Sequence, residues 1–336
     1  YPSLIEEALE TFKWHDLQEK LRIRRDSGEL VGAGLAFFVE KSGLGPTEKA
    51  IVRLDAVGNI TVVTGAADLG QGVATAMTQI SASVLGLDYT NINFISGRTD
   101  VINEGYGSHA SRTTVMTGEA VRLASKKLKE KIIASAALLL QASVEEIKIA
   151  AGQAELISGD ASVSFAQIIK SAGVKEFSAE GRFDSSHMNY PYGMHLAVVS
   201  VDPQTGISSV EKFFIAYDVG CAVNPMLIEG QLQGGFAQGV GGALLEEFLY
   251  DSNGQPLCST FADYIMPGST DVPKAEILLM ENAPSPLNPL GIKGAGEGGI
   301  NAVGAAIASA IDNAIGVLGV VTDLPVTPKR MLTMLR

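Results

Sequence analysis

The pattern that most constrains this chain is a change of period that occurs twice: alternating, β-branched segments run into a glycine-rich stretch, and a helical repeat follows. In the first instance Ile51 to Thr64 alternates across the turn Gly58-Asn59. Gly70-Gln71-Gly72 comes next, and Met77, Ile80, Ser81, Val84 and Leu85 then mark one helix face. In the second, His195 to Val201 and Ile207 to Tyr217 alternate around Asp202-Pro203-Gln204-Thr205-Gly206, and a glycine-rich helix is expected from about Met226 to Phe248. Strands and helices in this order must cover one another in layers. With 336 residues, 46% of them hydrophobic, the chain exceeds one small core. The expected fold class is α+β, two lobes of mixed β-sheet with packed helices.

The remaining segments fill in this outline. Leu4, Leu9, Phe12, Leu17 and Leu21 predict one helix over the first 25 residues, an arm or brace. Val31 to Val39 reads as a strand in the same sheet as the 51–64 pair, and Ile92 to Ser96 as another. A long helix is expected from about Thr117 to Leu140, and Ser143-Val144-Glu145-Glu146 and Ser164-Phe165-Ala166-Gln167 have capping-box form. Gly173 to Tyr192 reads as loop-rich and is the candidate boundary. Ala275 to Met280 reads as a strand and Asn301 to Val317 as a helix. The expected organisation is a helical arm at 1–30, a first lobe at 31–180 and a second at 181–336.

Charge and composition narrow the function. A formal charge of -12 argues against nucleic-acid or anionic-membrane binding. The basic run Lys126 to Lys131 sits in a helical pattern and reads as a solvated face. Cys221 and Cys258 stand alone, too few for an iron–sulfur cluster or structural zinc, and suggest a reducing compartment. With no 18-residue apolar run and no leader pattern, a soluble cytoplasmic protein is expected; the first residue is Tyr1, not Met.

Four constellations can carry chemistry. Gly294-Ala295-Gly296-Glu297-Gly298-Gly299 sets one carboxylate among small residues ahead of a helix whose N-terminal dipole favours negative charge there; the competing account is a capping carboxylate on a surface turn. Lys293 stands ready to neutralise Glu297 or lower its pKa. Gly70-Gln71-Gly72 offers backbone N–H groups and an amide to an anionic or oxo-bearing ligand, or is simply a tight turn. Ser108-His109-Ala110-Ser111-Arg112-Thr113-Thr114 offers hydroxyls and a guanidinium to a phosphate, or caps the helix after it. Gly230, Gly234 and Gly241 project within roughly 40° of one another, so close approach is expected there, and Gln231 and Gln238 share a face able to reach one polar ligand or to pack incidentally. Neither a Walker loop nor a convincing dinucleotide fingerprint is present.

Taken in order, Gly70-Gln71-Gly72, Ser111-Arg112-Thr113-Thr114 with Gly118, Asp218-Val219-Gly220 with Asn224-Pro225, Glu229-Gly230-Gln231, Ala237-Gln238-Gly239-Val240-Gly241 and Gly291-Ile292-Lys293-Gly294-Ala295-Gly296-Glu297 resemble the molybdenum hydroxylases, the xanthine dehydrogenase and aldehyde oxidoreductase family. The resemblance runs from about Val31 to the C-terminus and fits the second half of the molybdopterin-binding part. It implies a molybdenum held through a pterin, in the cytosine dinucleotide form common in bacterial relatives, with a sulfido or selenido ligand. It also implies hydroxylation of an electron-poor carbon with water as oxygen source. On the same match Glu297 is the catalytic base and Gln71 lies near the pterin and molybdenum oxygens. Ala110 is the small residue beside the centre, and Ser111, Arg112, Thr113, Thr114 and Gln238 hold the pterin or its tail. Gly70, Gly72, Gln231 and Lys293 complete the expected cofactor-binding set, with no protein ligand to the metal. The family's front half, with its GGGFG loop, is absent, so a large molybdopterin subunit is expected to supply it, with FAD and iron–sulfur clusters on further partner subunits. The split resembles nicotinate dehydrogenase and its N-heteroaromatic substrate. A non-catalytic assembly subunit, or a hydroxylase for a purine or aldehyde, are the alternatives.

Overall fold

The computed structural model describes residues 1–336. Strands β1 (Leu30–Val39), β9 (Tyr192–Val201), β10 (Ser208–Asp218) and β11 (Glu276–Met280) form one sheet in the order β1-β9-β10-β11. β9 is antiparallel to both β1 and β10, whereas β11 joins β10 in parallel. β2 (Thr47–Asp55), β3 (Ile60–Thr64), β4 (Ile92–Ile95) and β8 (Glu176–Asp184) form a second sheet in the order β4-β3-β2-β8. A small antiparallel sheet of β5 (Ile147–Ala150), β6 (Gln153–Leu156) and β7 (Ser162–Ser164), followed directly by helix α5 (Phe165–Ala172), stands beside it. The mixed α+β class expected from the sequence is present.

The β1-β9-β10-β11 sheet is covered on both faces. Leu4 and Ala8 of α1 (Pro2–Thr11), Phe12, and Leu21 of α2 (Trp14–Asp26) pack on Val31, Met194, Leu196, Val198 and Phe214. On the other side α6 (Pro225–Val240) and α7 (Val303–Ile315) pack on Ala197, Val199, Phe213, Ile215 and Tyr217. This explains why β9 is buried almost continuously rather than on alternate residues. The second sheet packs on α3 (Val73–Leu85) and α4 (Gly118–Leu140), whose cluster includes Val52, Leu54, Val62, Met77, Ile80, Val121 and Leu128.

The elements differ from the sequence expectation in four places. β1 does not share a sheet with the β2–β3 hairpin; it pairs in full register with β9, 162 residues away, from Leu30 opposite Val201 to Val39 opposite Tyr192. The single N-terminal helix is two, because Lys13 adopts a left-handed conformation that stops α1 and starts α2. The loop-rich stretch before Tyr192 contains β8, paired along its length with β2. Its inward residues include Ala179 and Gly181, which carry little β signal, yet a Cβ at Gly181 would overlap the backbone of Ala120 and Ala124 in α4. A C-terminal helix, α8 (Pro328–Met334), was also silent in the sequence pattern.

Gly32 and Gly34 do for β1 what Gly181 does for β8. A Cβ at Gly34 would overlap Ala310 N and Ala306 O, and one at Gly32 would overlap Ala310 O and Ala314 N. Helix α7 therefore lies backbone against backbone on β1. Of the strip expected at Gly230, Gly234 and Gly241, only Gly241 is closely approached, by the Glu246 side chain and Pro267; nothing lies within 4 Å of a Cβ at Gly230 or Gly234, and the backbone of α6 is instead met closely at Gly235, by Gly299, and at Gly239, by Val303. Gly34→Ala is expected to destabilise the chain by about 1–3 kcal/mol, the usual penalty of overpacking. Gly230→Ala, which adds a better helix former in open space, is expected to be neutral or to stabilise by up to about 1 kcal/mol. Thermal unfolding of the two variants side by side checks the contrast.

Candidate active site

A cleft of about 510 Å³ opens where the two larger sheets meet, lined by residues 69–73, 108–114 and 292–297 together with Ala76, Cys221, Val223, Asn224, Leu227, Ile228 and Gln231. It gathers Gly70, Gln71, Gly72, Ala110, Ser111, Arg112, Thr113, Thr114, Gln231, Lys293 and Glu297 from segments more than 200 residues apart. Gln238 is not among its lining residues; it is exposed farther along α6.

Glu297 sits at the cleft and is exposed in this chain by itself. The Ser111 hydroxyl donates to Glu297 Oε2 at 2.8 Å and accepts the Glu297 backbone N–H at 3.1 Å, so one serine fixes both ends of the residue. Ser111 reaches that position through an unusual turn. Ala110 and Ser111 have φ of 48° and 47°, two consecutive left-handed non-glycine residues, a conformation that persists only when its surroundings hold it. Gly294 packs directly on Ser111, where any Cβ would overlap the Ser111 carbonyl, and its N–H donates to Ser42 Oγ at 3.0 Å.

The anchor of this turn is Arg112. Its side chain is fully buried; the guanidinium pairs with Glu48 at 2.6 Å and donates to the carbonyls of Leu44, Thr47 and Gly107. The expectation that this guanidinium meets a phosphate is corrected, because it is fully buried and four of its five N–H groups are engaged inside the protein. Lys293 is likewise committed elsewhere: its ammonium pairs with Asp218 at 2.5 Å and stands 5.0 Å from the centre of the Tyr192 ring, so it neutralises Asp218, not Glu297. The Gln71 amide accepts the Leu69 N–H and donates to the Ala67 carbonyl and Ser108, which stiffens the Gly70–Gly72 loop from within.

What the cleft offers an anion is backbone. Helix α3 begins at Gly72 with no side-chain cap, and the π-helical turn Thr113–Thr117 that leads into α4 begins without one as well. Both N-termini face the same space, where free N–H groups and helix dipoles favour phosphate. The cleft, its two uncapped N-termini and the open space at Gly70 fit a phosphate-bearing cofactor.

Beneath Glu297 lies a polar layer that sequence reasoning missed. Tyr217 Oη is 2.7 Å from the Gly294 carbonyl oxygen and 3.0 Å from Glu40 Oε2, and the Asn301 amide donates to the same Glu40 oxygen at 3.0 Å. Burial raises the Glu40 pKa, the Glu297 charge adds to the rise, and the Ser111 and Tyr217 hydroxyls with the Asn301 amide oppose it. His195 Nε2 donates to the Gly298 carbonyl at 3.0 Å, and burial pushes its pKa down to about 4. No spacing rule connects Glu40, His195 and Tyr217 to Glu297; only the strand order brings them together.

Residues 7–273 match the model of the molybdopterin cofactor-binding domain. The chain belongs to this family, within the molybdenum hydroxylases. It is 39% identical over 340 residues to the 6-hydroxypseudooxynicotine dehydrogenase complex subunit gamma of Paenarthrobacter nicotinovorans, covering 97% of this chain and 42% of that protein. It is 33% identical to the nicotine 6-hydroxylase large subunit of the same organism, covering 92% of this chain and 41% of the relative. Among solved structures, quinoline 2-oxidoreductase from Pseudomonas putida 86 superposes with a TM-score of 0.89 at 32% identity, covering 100% of this chain and 45% of that one. The chain thus spans less than half the length of these relatives.

Two outcomes follow for the site's frame. Arg112→Met leaves Glu48 buried without its partner and is expected to cost about 3–5 kcal/mol, read as a fall in thermal midpoint. His195 has a folded pKa below its unfolded one, so the unfolded state takes up the proton first as pH falls. Stability is therefore full above about pH 6.5 and declines from there toward pH 4, by on the order of 3 kcal/mol. Denaturant unfolding across that window, compared with His195→Gln, measures the contribution.

Proposed function

We propose that this chain is the molybdopterin-binding part of a cytoplasmic, heteromeric molybdenum hydroxylase that hydroxylates an electron-poor ring carbon of an N-heteroaromatic substrate with water as oxygen source. The observation that carries the reading is the Ser111–Glu297 pair, a carboxylate locked at both ends beside a cleft with two uncapped helix N-termini. The names of the relatives support the substrate class, since nicotine and quinoline both contain an aromatic ring nitrogen. Nicotinate, converted to 6-hydroxynicotinate, is the first substrate to test.

The cofactor is molybdenum with molybdopterin, in the cytosine dinucleotide form and with a sulfido or selenido ligand. When bound, this group supplies a Lewis-acidic, two-electron centre at which water serves as the oxygen source. The chain's own residues do the rest. Backbone N–H groups at Gly72–Val73 and Thr113–Thr114 bind phosphate, with Gln71 and Ala110 shaping the wall between them. Glu297 accepts a proton at its free oxygen, Oε1, while Ser111 holds Oε2 and prevents the carboxylate from rotating away. A large molybdopterin subunit closes the open side of the cleft and screens Glu297 from water, and iron–sulfur and FAD subunits carry electrons onward.

In the complete complex Glu297→Gln is expected to retain molybdenum and pterin at wild-type stoichiometry and to lose turnover by about 10²–10⁴-fold, the usual contribution of a positioned base. Metal analysis, pterin fluorescence and steady-state rates on nicotinate and quinoline check it. A complex that purifies intact without molybdenum, or a variant within a few-fold of wild type, overturns the reading.

A further inference from the structure

Glu40 follows the last residue of β1 and stands under the loop that carries Glu297, 261 residues before Asn301. It is 8% exposed, and no lysine, arginine or histidine pairs with it. Its Oε1 is buried without a hydrogen-bond partner. The titratable groups that face it are Tyr217 from β10 and Glu297 from the loop before α7.

Proton counting decides its state. Tyr217 Oη lies within hydrogen-bond distance of two oxygens, the Gly294 carbonyl at 2.7 Å and Glu40 Oε2 at 3.0 Å, but a phenol carries one proton. The carbonyl can only accept, and it makes the shorter contact, so the tyrosine proton belongs to Gly294. The contact between Tyr217 and Glu40 then requires a proton from Glu40. Burial keeps the phenol itself protonated. A neutral acid also removes the difficulty of Oε1, since a bare anionic oxygen without partner or counter-ion is far costlier to bury than a carbonyl. The Ser111 hydroxyl also lies near Glu40 and opposes the rise of its pKa, but it carries one proton, and the 2.8 Å contact gives that proton to Glu297.

We propose that Glu40 is a positioning residue for Glu297, a carboxylic acid kept neutral in the interior that donates to Tyr217 and accepts from Asn301. The chain Asn301, Glu40, Tyr217, Gly294 thereby clamps the Glu297 loop at both of its ends. A neutral Glu40 adds no charge beneath Glu297. The assignment rests on Glu297 as the base for its effect on turnover, but the protonation state of Glu40 is measurable without turnover.

The test uses the complete molybdenum-loaded complex. Infrared difference spectra at pH 7 between wild type and Glu40→Gln are expected to show loss of the C=O stretch of a protonated carboxylic acid, and Glu297→Gln is expected to keep that band. A difference spectrum with carboxylate bands alone overturns the proposal, whatever the kinetics. In turnover, Glu40→Ala is expected to lower kcat by roughly tenfold or more through a displaced base. Tyr217 and Asn301 meet the same Glu40 oxygen, so Glu40→Gln keeps one of the two contacts, an N–H to Tyr217 or an oxygen to Asn301; it should restore part of the loss and leave the acid limb of the pH profile in place. If Glu40→Gln moves that limb to lower pH, Glu40 was ionised while Glu297 titrated, and the proposal is wrong. Should Glu40→Ala fail to fold, Glu40→Asp replaces it: a shortened acid that matches wild-type kcat would show that the clamp is not needed. If Glu297→Gln retains turnover, the base reading fails alone, and the infrared band still decides Glu40.

Discussion

The structure depends most on the close approach of α7 to β1. Gly32 and Gly34 remove the side chains that would hold the two elements apart, and Ala306, Ala310 and Ala314 meet them from the helix. Because the contact is backbone on backbone, it fixes the axial position of the helix as well as its distance. Both elements lead into the site from one end of the contact. β1 runs on to Glu40, and α7 is entered from Glu297 through Asn301, so the spacing of these groups follows from two glycines several residues away.

The second constraint joins the two sheets. Arg112 belongs to the turn that presents Ser111, and Glu48 belongs to β2, so their buried pair ties the cleft wall to the β4-β3-β2-β8 sheet. Such a pair adds little net stability once desolvation is counted, and replacement by well-packed apolar groups is often neutral. Its effect here is geometric, since four acceptors around one rigid guanidinium leave the turn a single orientation. Glu297 comes from the other sheet's side of the cleft. The Ser111–Glu297 contact is therefore the point at which the two halves of the scaffold are brought into register.

Much of this was legible in the residue order. The two period changes located α3, β9, β10 and α6, and small residues around Glu297 marked the loop that packs on Ser111. Strand partnership was less legible, because β1 and β9 carry no sequence signal for each other and β8 hides its inward face behind Ala179 and Gly181. Arg112 looked like a phosphate ligand since local sequence shows donors but not the acceptors that Leu44, Thr47 and Glu48 bring from β2 and the loop before it. Glu40, His195 and Tyr217 were invisible for the same reason. Each sits in an ordinary strand or at its end, and only the β1-β9-β10 order sets them under one loop.

The left-handed pair at Ala110 and Ser111 has a thermodynamic corollary. An oxygen ligand that swings into place at every turnover adds its own rotational ordering to the barrier each time. Here the serine is oriented once, when the chain folds, and the surrounding core bears the conformational strain from then on. The carboxylate that it holds meets each new substrate already aimed.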